Sequence, residues 1–237
     1  MQFPFDCEGL FNTDSQGFVI LRGKELSNYV GYNSYNSSVK FKQGQKHFEK
    51  SAFNAMDKLC SIVDRMGCAS ATVAAYYHQA QSLPQTITCM NRFAGSDHRL
   101  YLKVEGFTVQ GFVKVGTKDL FYREAAGKCR EMSPLCVLDF YVHESVQRQG
   151  LGKQLFSKML NSENVLPSKL AYDRPSPKLT KFLFKHFGLA SFTPQNNNFV
   201  IFDEYFKVDW SNRACQPTAR GKERRPPGVQ NSGSLCA

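Results

Sequence analysis

Gln147, Gly150 and Gly152 stand at a spacing, Gln-x-x-Gly-x-Gly, that can hold a phosphate. Glycines let the backbone approach an anion with no Cβ in the way. Amides at the start of a helix offer partial positive charge to the same anion. Arg148 and Lys153 add full charges. The pattern lacks the Gly-Lys-Ser/Thr of a Walker loop, and its spacing does not fit the Gly-x-Gly-x-x-Gly of a dinucleotide fingerprint either. A second cationic set, Lys178, Lys181 and Lys185, follows along one side of an amphipathic segment.

Such a loop works only if a strand and a helix hold it. Residues 135–142 run apolar with two interruptions, Cys136 and Asp139. Their length and their β-branched and aromatic content predict a strand buried on both faces. His143-Glu144-Ser145 is turn-like, and then Leu151, Leu155, Phe156, Met159 and Leu160 recur at helical spacing. Upstream, residues 18–21 predict a first strand, and 27–45, rich in Asn, Ser, Tyr and Gly, a long loop. Ala52, Met56, Leu59, Val63 and Met66 predict an amphipathic helix that Gly67 is placed to end, with 69–80 able to resume it. Strands are expected over 100–104, 109–115 and 120–122, with hairpin-turn chemistry at 116–119 and a polar connection over 124–133. Downstream, 170–173 predicts a short strand. Ser176-Pro177 opens a helix with Leu179, Phe182, Leu183 and Phe187 as its apolar face and Gly188 as its cap. Residues 199–202 predict a last strand. The sum is an α/β sheet with helices on both faces, largely antiparallel at one end and parallel at the central strand.

With 237 residues and 42% apolar content, one domain with appendages is expected, over residues 1–206. Residues 207–237 are basic and poor in apolar side chains, a tail expected to lack fixed structure. The net charge of +10 predicts an acidic partner: nucleic acid, anionic lipid, an acidic protein surface or a phosphorylated cofactor. No aromatic-basic motif of a nucleic-acid module is present, so specific nucleic-acid binding ranks last. The chain start lacks signal-peptide features and no apolar run approaches membrane-spanning length, so a soluble intracellular protein without membrane attachment is expected. The eight cysteines form no C-x-x-C pair and no tight Cys/His cluster, which argues for a reducing compartment and against a metal site.

The strings PLCVLDFYVHESVQRQGLGKQLF, AYDRPSPKLTKFLFKHFGL and PQNNNFVIFDEYF, with MQFPFD and GFVKVGTKDLF, closely resemble the catalytic domain of the α-tubulin N-acetyltransferases. These belong to the GCN5-related N-acetyltransferase superfamily. The resemblance is strong over residues 111–206, patchy over 1–100 and absent from the tail. It implies that superfamily's α/β fold, a central mixed, mostly antiparallel sheet flanked by helices. The activity implied is transfer of acetyl from acetyl-CoA to a lysine ε-amine of α-tubulin in microtubules. The expected location is the cytoplasmic microtubule cytoskeleton, extending to the axoneme or flagellum. Acetyl-CoA binding is carried over to Phe140-Tyr141-Val142-His143-Glu144-Ser145-Val146-Gln147-Arg148-Gln149-Gly150-Leu151-Gly152-Lys153. A second cofactor segment is Ser176-Pro177-Lys178-Leu179-Thr180-Lys181-Phe182-Leu183-Phe184-Lys185. The active-site groups fall on Cys136 and Asp173, with Gln81 in support, and substrate contacts on Lys114, Lys118, Phe121 and Arg174.

A lysine near pKa 10.4 must lose a proton before it attacks a thioester. Asp173, at a strand end, is suited to be the base; Cys136 could share that role or position the amine. By residue type alone, Cys136 reads as a small buried hydrophobe and Asp173 as a turn or cap aspartate; the resemblance makes them chemical. Regular alternation puts His143 on the face opposite Cys136, although a bulge, which this superfamily tends to have there, would reverse that parity. Two departures bear on docking. Asp119 interrupts a stretch that is more continuously basic in the family, and Lys128, Arg130, Met132 and Ser133 stand where acidic residues are frequent. An acetyltransferase for another amine, or a non-catalytic microtubule-binding module, are the alternatives.

Overall fold

Strand propensity and alternation build two sheets. In chain order the strands are β1 (Phe18–Arg22), β2 (Arg99–Glu105), β3 (Thr108–Thr117), β4 (Leu120–Arg123), β5 (Cys129–Met132), β6 (Leu135–Val142), β7 (Ala171–Asp173) and β8 (Phe199–Ile201). The six-stranded sheet has the order β1-β2-β3-β6-β7-β8, and β4 pairs with β5 in a second, two-stranded sheet. Every neighbouring pair is antiparallel except β6 with β7. This is the mixed, mostly antiparallel sheet expected. The computed structural model describes residues 1–11, 13–26, 55–77, 86–124 and 126–207, and Met1–Phe206 make one compact unit. The loop expected at 27–45, Gln81 and the basic tail beyond Lys207 lie outside the described residues.

Three helices cover the large sheet: α1 (Ala55–Tyr77), α2 (Leu151–Glu163) and α3 (Pro177–Phe187). On one face, Leu59, Ile62, Val63 and Met66 of α1 pack with Leu100, Leu102 and Phe112. On the other, Leu155, Phe156 and Met159 of α2 and Leu183 of α3 pack with Val113, Val115 and Val137. Each fully buried aliphatic side chain contributes on the order of 1.5–3 kcal/mol. The far end of α2 is fastened to β2, where Glu163 receives Arg99 Nε at 2.5 Å, Arg99 Nη2 at 2.8 Å and the Tyr101 hydroxyl at 2.6 Å. A two-pronged, partly buried pair of this kind fixes orientation as well as adding energy. Ser176 caps α3 by accepting from the Leu179 amide at 3.2 Å, and Gly188 closes it at φ +69°.

Three expectations need correction. Residues 116–119 close no hairpin, because β3 and β4 belong to different sheets. The polar connection at 124–133 contains β5, whose Cys129, Arg130 and Glu131 are exposed and supply no apolar alternation to read. Gly67 does not end α1, which runs through it. A Cβ at Gly67 would lie 1.7 Å from the Thr88 carbonyl oxygen, so the glycine is there for close approach. The segment it admits is tied down by the Met90 amide, which donates to Asp64 of α1 at 2.7 Å.

Gly67→Ala therefore sets helix propensity, a gain of about 1 kcal/mol, against a backbone clash. The clash is expected to win, with a net loss of about 1–3 kcal/mol in chemical denaturation. An unchanged or raised midpoint would show that the 86–90 segment is not held against α1.

Candidate active site

Pairing between β6 and β7 covers only Cys136 with Ala171 and Val137 with Tyr172. Beyond that point the strands part. Asp173 still pairs with Phe199 of β8 on its other side, and β6 continues to Val142 beside β3. The parting coincides with a bulge: Val115 faces Val137 and Lys114 faces Asp139, which leaves Leu138 as the extra residue. A bulge bends its strand and increases local twist, so it carries β6 away from β7. The opened edge forms one wall of a cavity of about 460 Å³, a size suited to a cofactor.

Both cofactor segments reach this cavity. From the first come Phe140, Tyr141, Val142, Gln147, Arg148, Gly150, Gly152 and Lys153; from the second, Ser176, Lys178, Leu179 and Phe182. Gly150 is the N-cap of α2 at φ +83°, and Arg148 also has positive φ, at 64°. The Lys153 and Gln154 amides both donate to Gly150 O, at 3.0 and 3.1 Å, so it is the Leu151 and Gly152 amides that the helix start leaves for a ligand. Gln147 Nε2 donates to Val142 O at 2.8 Å, bracing the turn against the open strand edge. Gly152 has an ordinary φ, and a Cβ there would meet Phe140 at 3.5 Å and Val142 at 3.7 Å, normal contacts. No protein neighbour demands that glycine; what its missing Cβ keeps open is the cavity. Val73 of α1 and His186 of α3 also line the wall, and neither was singled out from sequence.

Other members of the two segments serve the frame. Leu183 is in the core, Thr180 Oγ1 donates to Ser176 O at 3.2 Å inside α3, and Phe184 is 62% exposed. Leu151 is buried, Lys181 and Lys185 are exposed, and none of the three is in the cavity wall. The same holds for Glu144, Ser145, Val146, Gln149 and Pro177. His143 leaves the strand and caps the turn after it, with Nδ1 2.9 Å from Ser145 Oγ. The parity argument about it fails for a visible reason. Val137 and Phe140, three apart, both join the α2–α3 core, so the bulge puts Cys136, Asp139 and Tyr141 together on the opposite face.

Cys136 and Asp173 meet where the strands part. The Cys136 thiol is fully buried and donates to Pro134 O at 3.4 Å. Burial first, and the Asp173 carboxylate second, push it up to about 12. Burial likewise raises Asp173 above the usual carboxylate range; Asp139 adds to the rise, while Arg174 and Lys118 oppose it. Arg174 has φ +40°, and its buried Nε lies 3.7 Å from Asp173 Oδ1 with no hydrogen-bond partner. A raised carboxylate beside a protonated thiol is a proton acceptor next to a neutral wall.

Asp139 was read only as an interruption of the strand, yet it organises the site's interior. Its oxygens accept from Ser70 of α1 at 2.7 Å and from Thr88 at 2.5 Å, and Lys114 faces it from β3. Lys114 was expected to contact substrate. It is instead 2% exposed and donates to Ile87 O at 3.0 Å, so it belongs to this network and not to a docking surface. Lys118 and Phe121 are exposed, Phe121 to 70%. Asp139→Ala would strand two hydroxyls and an ammonium, and a loss of about 3–5 kcal/mol is expected in denaturant titration. Asp139→Asn, which keeps hydrogen bonding without the charge, should lose visibly less; equal losses would mean that the network depends on the Asp139 charge and not on its hydrogen bonds.

Comparisons with known proteins fit this geometry. The chain is 45% identical over 216 residues to a protein of Tetrahymena thermophila named alpha-tubulin N-acetyltransferase, covering 91% of this chain and 47% of that one. A Phytophthora infestans protein of the same name is 46% identical over 160 residues, covering 63% of this chain and 89% of its own. The Trichoplax adhaerens protein of that name is 45% identical over 186 residues, covering 75% and 78%. The chain thus spans about half of the Tetrahymena relative and most of the other two. The model of the family described as GNAT acetyltransferase, Mec-17, matches residues 32–232, and the chain belongs to that family.

Proposed function

We propose that this chain moves acetyl from acetyl-CoA to a lysine ε-amine of α-tubulin in microtubules, by direct transfer within a ternary complex. The observation that carries the reading is the cavity. It runs from a cationic helix start at Gly150–Lys153 along the open edge of β6 as far as Phe140; Cys136 and Asp173 lie beyond its wall, where β6 and β7 part. The acceptor is taken from the names of the relatives, and a location at the microtubule cytoskeleton is part of the same proposal. Residues 1–206 are the catalytic domain in this reading, and the basic tail is an appendage.

Asp173 takes the proton from the lysine ammonium, directly or through water. The neutral amine attacks the thioester carbonyl, the carbon–sulfur bond breaks, and CoA leaves as a thiolate that collects a proton. Open backbone amides of β6 are suited to polarise that carbonyl. Cys136, held protonated by burial and by its acidic neighbour, is neither base nor nucleophile here. Its buried, neutral side chain backs the point where β6 and β7 part. Lys118, Phe121 and Arg174 are the contacts proposed for the tubulin surface, because they are exposed or border Asp173.

Mass spectrometry of polymerised tubulin after incubation with the chain and acetyl-CoA tests the assignment, with one α-tubulin lysine expected to gain acetyl. Acetylation of other basic peptides but not tubulin would keep the chemistry and overturn the acceptor. Asp173→Asn is expected to slow transfer by about 10²–10⁴-fold, and acetyl-CoA without acceptor should leave no acetyl on Cys136.

The pH profile follows from the sign of the Asp173 shift. A raised carboxylate acts as base only above its own elevated value, so kcat/KM should fall as pH drops through a limb above the ordinary carboxylate range. Arg174 holds that value down, so Arg174→Gln should move the limb to higher pH. A limb that stays in place, or shifts downward, would remove Asp173 from the role.

A further inference from the structure

The wall of the proposed cofactor cavity carries an ionisable group of near-neutral type that the mechanism above leaves unused. His186 sits in the last turn of α3, half-buried, with its ring 4.8 Å from Phe182 and 6.4 Å from Phe187. Phe182 is itself wedged against Phe140 and Phe156, at 5.6 and 5.5 Å, so the imidazole leans on a rigid aromatic backing. The charged groups facing it are Lys153 from α2 and Lys185 from its own helix. Arg148 and Lys178 stand elsewhere on the same wall. Among the described residues, the wall's remaining titratable group, the Tyr141 phenol, donates to Glu144 Oε2 at 2.9 Å, and none of them in the wall is a carboxylate.

An imidazole set among cations is out of balance until an anion arrives. Burial and then Lys153 and Lys185 hold His186 below its ordinary value, which favours the neutral imidazole. A phosphate placed between these groups reverses the sign of the local field and favours the imidazolium, which can then donate to a phosphate oxygen. We infer that His186 is a phosphate-binding residue for CoA, taking up a proton as the cofactor enters and so making cofactor affinity fall as pH rises. The inference rests on the reading of this cavity as the CoA site. The sign runs as for any group whose value rises on binding. The contribution is complete below the free-protein value, declines as pH climbs through the bound-state value, and is absent above it.

Calorimetry of the full chain at pH 7 tests this, with CoA titrated in buffers of different ionisation enthalpy and again with 3′-dephospho-CoA. The wild type should take up a fraction of a proton on binding CoA. A phosphate monoester, whose second ionisation lies near pH 6, would release protons when bound among cations, so it cannot mimic the effect. His186→Gln should bind CoA several-fold more weakly and lose the uptake. Lys178→Gln should weaken binding and keep the uptake. Uptake that persists with 3′-dephospho-CoA places His186 on the diphosphate; uptake lost with that ligand places it on the 3′-phosphate. The inference is overturned if uptake is the same in wild type and His186→Gln, or absent from wild type while CoA still binds. If neither ligand binds the wild type, the cavity reading itself falls and takes the inference with it.

Discussion

Two strands that run parallel for only two residue pairs set the terms for the rest of this molecule. β7 is three residues long and ends at Asp173, followed by Arg174 in the left-handed region. β6 goes on for five residues past its last partner on that side. Leaving strand edges open is costly wherever water is excluded, because backbone amides and carbonyls need partners. Here the cost is contained. β3 satisfies one edge of β6 throughout, and Gln147 takes up the Val142 carbonyl on the other. What stays open is a strip of backbone facing the cavity, the part of a sheet best able to hold an extended ligand. The bulge at Leu138 makes the parting local, since the strand is turned within a single residue.

That same bulge settles which side chains work together. With one extra residue in β6, Asp139 shares a face with Cys136, and its carboxyl is drawn under α1 and the 86–90 segment. A fully buried carboxyl is destabilising unless its oxygens are bonded. Asp139 has two hydroxyls and a facing lysine, contributed by three different parts of the chain. A network satisfied from three directions is stiff. It also leaves a second acidic group behind Asp173, which helps keep the outer carboxyl a stronger base than a surface aspartate.

The elements that sequence made legible are those with a strong period. The helical spacing of Leu151–Leu160 and of Leu179–Phe187, the apolar run of β6, and the caps Ser176 and Gly188 all stand where local chemistry puts them. What escaped was set by contacts between distant segments. β5 is a strand because β4 pairs with it, although its own residues are polar and exposed. Gly67 looked like a helix end because glycine is the usual residue there, yet it serves the backbone of Thr88. The resemblance makes Lys114 a substrate contact, and only the pairing of β3 with the bulged strand shows it buried facing Asp139. His186 and Val73 line the cavity from the ends of two helices, and no local pattern distinguishes them from ordinary helix positions.

Charge is distributed unevenly along β6. Arg148, Lys153 and Lys178 line the cavity, while Cys136 and Asp173, beyond its wall where β6 and β7 part, are neutral and acidic. A molecule with phosphates at one extremity and an uncharged thioester at the other has one favourable orientation in such a field. Reversal would set phosphates against Asp173 and take them away from the cationic side chains. The electrostatic asymmetry therefore does for the cofactor what the bulge does for the chain: it fixes direction without a contact to the reacting atom. It also explains why a protonated thiol suits the place beside Asp173. A thiolate at Cys136 would place a second negative charge beside the group that must accept the lysine's proton, and burial prevents it from forming.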